Sequence, residues 1–210
     1  WLSRQNQPAV VPKEQDSLNI KVYRLFKDGI PLEETTLLRL QVAGQPREMI
    51  LGPVLLPHSL PLRVDSPLPA RLDDTGLLRL QVKPGTWEIA IKSRFLGQQD
   101  LIAFQAISKP WPANEIWSFQ QQSALRLVGI QGAQSVGPQQ TDMPLPWREF
   151  PAYLLEKGKV LKLVENRRGQ VARRAEQLNL QRKMWLDFSG KGFTLQDEMS
   201  GTVEQHRSEE

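Results

Sequence analysis

His58 and His206 are the chain's two histidines, and there is no cysteine. The missing cysteine excludes disulfides, thiolate nucleophiles and zinc–thiolate sites. A serine–histidine–aspartate triad needs a histidine held by a carboxylate beside a nucleophile. His206 falls in the polar C-terminal run and His58 among Pro53, Pro57 and Pro61. Neither context positions an imidazole, and His58 reads as a surface-loop residue. A two-histidine metal site is disfavoured for the same reason. Carboxylates are more plentiful: Asp73, Asp74, Glu88, Glu115, Asp187, Asp197 and Glu198. A glycosidase needs two of them facing across about 5–10 Å of cleft. Asp73 and Asp74 precede Thr75-Gly76 and read as a turn. Glu88, Asp187 and Glu198 alternate with apolar residues, which places them on solvated strand faces. Gly190-Lys191-Gly192 is too short for a phosphate-cradling loop and reads as a hairpin turn. No catalytic residue, metal site or cofactor is expected.

Two constellations suit binding rather than catalysis. Arg167, Arg168, Arg173 and Arg174 cluster within eight positions. They could reach anionic lipid headgroups through charge-assisted hydrogen bonds. No aromatic residue is interleaved with them, which argues against single-stranded nucleic acid. A solvated loop is the simpler reading. Six tryptophans raise the possibility of sugar stacking. Trp87 and Trp117 share parity with core positions and are expected inside. Trp111 and Trp147 sit between prolines and could be packing wedges or ligand platforms. Trp185 lies on the opposite parity from Leu180, Met184 and Leu186, among Lys183, Asp187, Thr194, Gln196 and Glu198. A lone tryptophan among polar neighbours is offered to a partner or covered by another segment, and aromatic anchors are over-represented among interface hot spots.

The elements that must position these residues are short strands. Leu18, Ile20, Val22 and Phe26 share one parity, with Arg24 the exception. Leu38, Leu40 and Val42 alternate next. The runs 49–56 and 60–64 are cut by prolines, which confines them to sheet edges or irregular connections. Leu78, Leu80 and Val82 lead through Lys83-Pro84-Gly85-Thr86 into Trp87, Ile89 and Ile91, which predicts a hairpin over 75–95 with a type II turn. Strands follow at 101–107, 115–119 and 125–130, then a long Gly-, Gln- and Pro-rich loop over 131–146. Further hairpins are expected at 153–164 and 178–199. Residues 166–177 read as a loop or one short helix. The hexapeptide Leu-Leu-Arg-Leu-Gln-Val occurs at 37–42 and again at 77–82, a possible repeat period of forty residues. Frequent turns, sixteen prolines and almost no helical periodicity predict an all-β fold of antiparallel sandwich or jelly-roll-like modules. The stretch 108–113 reads as a domain boundary or a crossing between sheets. The favoured division is a polar arm or linker at 1–16, a β-sandwich-like module at 17–112, a second β module at 113–203 and a polar tail at 204–210.

The net charge of +4 on 210 residues permits loose attraction to anionic surfaces but is not the basic patch of a nucleic-acid binder. No apolar run reaches 18 residues, so no spanning helix is expected. The chain opens on Trp1 and closes on a polar stretch, and it is expected to be a piece of a longer polypeptide.

Three regions carry a resemblance. They are Leu78-Arg-Leu-Gln-Val-Lys-Pro-Gly-Thr-Trp-Glu-Ile-Ala-Ile91; Glu115-Ile-Trp-Ser-Phe119 with Leu145-Pro-Trp-Arg-Glu-Phe-Pro-Ala-Tyr-Leu154; and Met184-Trp-Leu-Asp-Phe-Ser-Gly-Lys-Gly-Phe-Thr-Leu-Gln-Asp197. Together these resemble segments of very large proteobacterial envelope proteins that have no assigned activity. The resemblance covers about half of the chain. It implies an extracytoplasmic setting on the periplasmic side of a bacterial membrane, and it carries no functional residue across. The expected function is a noncatalytic β module serving assembly or protein–protein contact. Its expected partners are other regions of the same polypeptide or other envelope proteins. The rivals are a carbohydrate-binding module for envelope glycans and a hydrolase with a carboxylate pair.

Overall fold

The computed structural model describes residues 15–104, 109–168, 177–186 and 190–202. Its strands in chain order are β1 (Ser17–Lys27), β2 (Glu33–Ala43), β3 (Arg47–Leu51), β4 (Ser59–Asp65), β5 (Ala70–Leu72), β6 (Leu78–Val82), β7 (Gly85–Phe95) and β8 (Leu101–Ala103). Then come β9 (Asn114–Gln120), β10 (Arg126–Gln131), β11 (Gln134–Val136), β12 (Ala152–Glu156), β13 (Val160–Arg168), β14 (Gln177–Leu186) and β15 (Phe193–Thr202). Among the described residues helix is confined to two 3₁₀ turns, Pro138–Gln140 and Leu145–Glu149. None is long and apolar enough to cross a membrane. The fold is all-β, as the alternation and proline content predict.

By compactness the chain divides into Trp1–Gly169 and Gln170–Glu210. The first unit holds a seven-stranded sheet ordered β11-β12-β9-β1-β2-β7-β4. Two three-stranded sheets, β3-β6-β5 and β10-β13-β8, complete it. Side chains of all three sheets share one buried core, with Leu38, Leu40, Ile89, Leu78 and Leu161 fully enclosed. This is a sandwich, in which the inward parity of each strand feeds a common layer. Every neighbouring pair is antiparallel except β1 with β9, which run parallel from Tyr23↔Ile116 to Lys27↔Gln120.

That pair corrects the expected division near residue 112. Strand β9 lies between β1 and β12 in the main sheet. The proline-rich stretch before it is a crossing from β8 to the large sheet, not a domain boundary. A module beginning at 113 would strip β9 from the sheet and expose the apolar flank of β1.

Two expected hairpins are also replaced. Strand β6 pairs with β3 and β5, while β7 pairs with β2 and β4. Lys83-Pro84 is therefore a corner between sheets, and Gly85 takes φ +141° there. A Cβ at Gly85 would lie 3.1 Å from the Trp87 ring. Likewise β12 belongs to the large sheet and β13 to a small one, so Lys157-Gly158 turns another corner. The two hexapeptide copies become central strands of different sheets, and both send Leu, Leu and Val into the shared core. Strand β4 behaves as its proline predicts. It is an outer strand of the large sheet, with a register irregularity between Pro61 and Arg63. Residues 166–168, expected in a loop or helix, extend β13.

The second unit contains the hairpin that does form. Strands β14 and β15 pair antiparallel from Gln177↔Thr202 to Leu186↔Phe193.

Candidate functional site

Arg24 interrupts the apolar parity of β1 and is fully buried. A guanidinium cannot shed its charge, so burial requires partners for each donor. Strand β2 supplies Glu34 and Thr36, and β9 supplies Glu115. Arg24 Nη1 donates to Glu34 Oε1 at 2.5 Å, to Thr36 Oγ1 at 2.8 Å and to the Val54 carbonyl at 3.1 Å. Its Nε donates to Glu115 Oε2 at 2.6 Å and its Nη2 to Glu115 Oε1 at 3.3 Å. The carboxylates are themselves saturated. Glu115 accepts the indole N–H of Trp111 at 2.8 Å and of Trp117 at 2.6 Å. Glu34 accepts Thr36 Oγ1 at 2.9 Å and Ser93 Oγ at 3.0 Å. Among the described residues no buried side-chain nitrogen or oxygen lacks a partner. Burial by itself would lower the Arg24 pKa, but Glu115 and Glu34 more than reverse this and hold it above its ordinary value.

The cluster gathers two carboxylates, yet it has no opening to solvent. Glu34 and Glu115 are each about 1% exposed, and the guanidinium lies between them. A carboxylate pair for hydrolysis must face a substrate. Here the pair faces an arginine, and the arrangement ties β1, β2, β7 and β9 to one another. A second pair, Arg126 with the buried Asp28, ties the turn after β1 to β10 at 2.6 Å.

The opposite face of the large sheet is covered by part of the segment between β11 and β12. Tyr23, Leu37, Ala152 and Met143 form a separate buried cluster there. Met143 is 1% exposed, and Ser118 Oγ donates to its sulfur at 3.1 Å. Lys21 Nζ meets Asp142 Oδ2 at 2.5 Å, and Arg39 Nη1 donates to the Asp142 carbonyl at 2.8 Å. Residues expected as a plain loop thus form a strap. The Lys21 contact holds the Asp142 carboxyl below its ordinary range, and the same hydrogen bond raises Lys21. A depressed carboxyl stabilises the folded form above its unfolded pKa, and that contribution is lost as pH falls through the folded value. A raised lysine contributes below its unfolded pKa and is lost as pH rises through the folded value. The strap is therefore held between these limits and loosens below about pH 4. Amide chemical shifts of Met143 and Trp147 are expected to move as pH falls below about 4 in the wild type and to move less in Asp142→Asn. Equal titrations in both proteins would refute the tether.

Trp111 and Trp147, which could be packing wedges or ligand platforms, pack into two different clusters. Trp111 is 5% exposed and is committed to Glu115. Trp147 is half-buried against the Met143 cluster on the other face of the sheet. Both are packing wedges, because proline-flanked indoles fill the gaps that irregular backbone leaves beside a sheet. Trp87 is half-buried rather than a core residue. Its indole donates to the Lys83 carbonyl at 2.8 Å, and the Lys83 ammonium lies 5.2 Å from the ring centroid. His58 is exposed in a turn, with φ +63°.

Trp185 keeps its expected face. It stands opposite Thr194 on β15, 49% exposed, with Lys183↔Gln196 and Gln181↔Glu198 on the same side. Backbone pairing places Arg167 opposite Leu127 and Arg168 opposite Arg126, while Arg173 and Arg174 lie outside the described residues. Within the first unit, Trp111 packs in the core and Trp147 against the cluster on the other face of the large sheet. The buried Arg24–Glu34 pairing went unrecognised, although Arg24's break in the parity of β1 was its signal.

No family model and no curated protein matches the chain. Among solved structures, a two-domain M1 zinc metallopeptidase mutant bound to L-tryptophan is similar at 10% identity and a TM-score of 0.36. The match covers 88% of this chain, which spans 48% of that one. A likeness at this level transfers neither fold nor chemistry.

Proposed function

We propose that the chain is a noncatalytic β module of a larger bacterial envelope protein, acting through contact with other protein surfaces. The observation that carries this reading is Trp185, half-exposed on a two-stranded ribbon among Gln181, Lys183, Thr194, Gln196 and Glu198. An exposed indole framed by polar side chains has the composition of an interface anchor. The commitment of Glu34 and Glu115 to Arg24 supports a structural role for the carboxylates. The envelope setting rests on the likeness of 78–91, 115–119, 145–154 and 184–197 to segments of such proteins.

Trp185→Ala is expected to change unfolding free energy by no more than about 0.5 kcal/mol, as at other surface positions. The same substitution is expected to weaken association with the adjoining region of the longer polypeptide. A markedly lower urea midpoint, or undiminished association, would remove the contact proposal. We also expect no turnover of ester, peptide, phosphate or glycoside substrates. Activity that co-purifies with the chain and vanishes on changing one carboxylate or His58 would overturn the noncatalytic reading.

A further inference from the structure

The other face of the same ribbon carries a different kind of surface. Cross-strand pairing sets Leu180 opposite Met199, Met184 opposite Leu195 and Leu186 opposite Phe193. These six side chains are 54–70% exposed. Their exposed area is on the order of 600–700 Å², above the largest patch on a typical monomer and close to the ~800 Å² per partner of a standard interface. Within this face, Arg182 meets Asp197 in a bidentate pair, with both N–O distances at 2.7 Å. A two-stranded ribbon is marginal alone and gains independent stability when its apolar face is packed.

We propose that this face is a self-association site, covered by the same face of a second copy of the chain. The argument is complementarity. A two-fold axis parallel to the strands stacks β14 of one copy over β15 of the other. Every cross-strand partner then becomes a partner between copies. Leu180 lies over Met199, Met184 over Leu195, Leu186 over Phe193, and Arg182 over Asp197. Apolar groups meet apolar groups, and each charge meets its opposite across a layer about 10 Å thick. The alternative axis, perpendicular to the strands, stacks β14 over β14 and β15 over β15, so Arg182 no longer lies over Asp197, and it is disfavoured. A lipid surface would cover the leucines but leave the central ion pair without a polar counterpart. Isologous two-fold pairing is also the commonest form of self-assembly. This inference goes beyond the Trp185 reading and does not rest on it, because Trp185 lies on the opposite face.

The test is sedimentation equilibrium of the 210-residue chain over about 1–100 µM. A concentration-dependent dimer is expected. Met184→Glu and Arg182→Asp should each raise the dimer Kd on the order of 30-fold or more, as at an interface hot spot. Gln181→Ala, on the other face, should leave it unchanged. The exchanged variant R182D/D197R restores both pairings and should dimerise again. Mixed with wild type it should form hybrids well below the random-mixing share, because Arg182 of the wild type would then meet an arginine. A monomer throughout the range overturns the proposal, including one that instead binds neutral phosphatidylcholine vesicles. So does a dimer indifferent to Met184→Glu, or free mixing of the exchanged variant with wild type.

Discussion

Arg24→Met is expected to lower the unfolding free energy by about 3–5 kcal/mol, because it leaves two carboxylates buried without their counter-ion. The guanidinium supplies the donors that Glu34 and Glu115 face from β1. Methionine fills much of the volume but donates nothing. The loss is large against a typical domain stability of about 5–15 kcal/mol, so partial unfolding at room temperature is an expected outcome. Adding Glu34→Gln and Glu115→Gln should recover part of the stability by removing the stranded charges. The Glu115→Gln change keeps an acceptor for only one of the two indoles, because Trp111 and Trp117 bond different oxygens of Glu115. Urea denaturation of the three proteins checks the order. If Arg24→Met keeps the wild-type midpoint, the cluster is not the lock that its geometry describes.

Trp117→Ala is the second large effect, at about 3–5 kcal/mol for deleting an enclosed aromatic side chain. The ring is fully buried, 5.0 Å from the Phe26 centroid and 6.4 Å from Phe104. Its deletion opens a cavity and also withdraws a donor from Glu115. Trp117→Phe should cost less, since it keeps most of the packing and loses the hydrogen bond. Trp87→Ala should cost less than Trp117→Ala, because its ring is only half-enclosed and its N–H bonds locally to Lys83. Thermal or urea unfolding ranks the variants. A Trp87 truncation as costly as that of Trp117 would contradict the burial assigned to both.

The parity of the strands was legible because side chains alternate faces whatever the strand pairs with. Leu38, Leu40, Leu78, Leu80, Ile89 and Ile91 are inside as their spacing predicts. The ribbon register was legible for the same reason, with Trp185 on one face and Met184 and Leu186 on the other. Prolines marked β4 as an outer strand because an imino nitrogen cannot join a ladder.

Strand partnership was not legible in that way. A Pro-Gly pair between two alternating runs has the same pattern whether the chain folds back within a sheet or turns a corner into the next. Both routes send the same residues into the core. Pairing depends on which distant strand completes each ladder, and the parallel contact of β1 with β9 joins positions about ninety residues apart. Of the two readings of 108–113, module boundary or crossing between sheets, the sheet order takes the crossing for that reason. Composition marked a break in the local pattern, while the sheet closed across it.

Sequence by itself determined the β class, the inward face of most strands and the lack of thiol chemistry. Those properties follow from residue type and spacing along a few neighbouring positions. Tertiary structure alone decided that Arg24, Glu34 and Glu115 meet. Arg24 breaks the inward parity of β1, but its partners Glu34 and Glu115 look, taken singly, like charged residues on strands. Only the side-by-side pairing of β2, β1 and β9 brings the three into one buried and fully bonded cluster. Of the two readings open for Trp111, packing wedge or ligand platform, tertiary structure decided for the wedge for the same physical reason. An indole N–H buried beside a sheet needs an acceptor, and the acceptor that it found is Glu115.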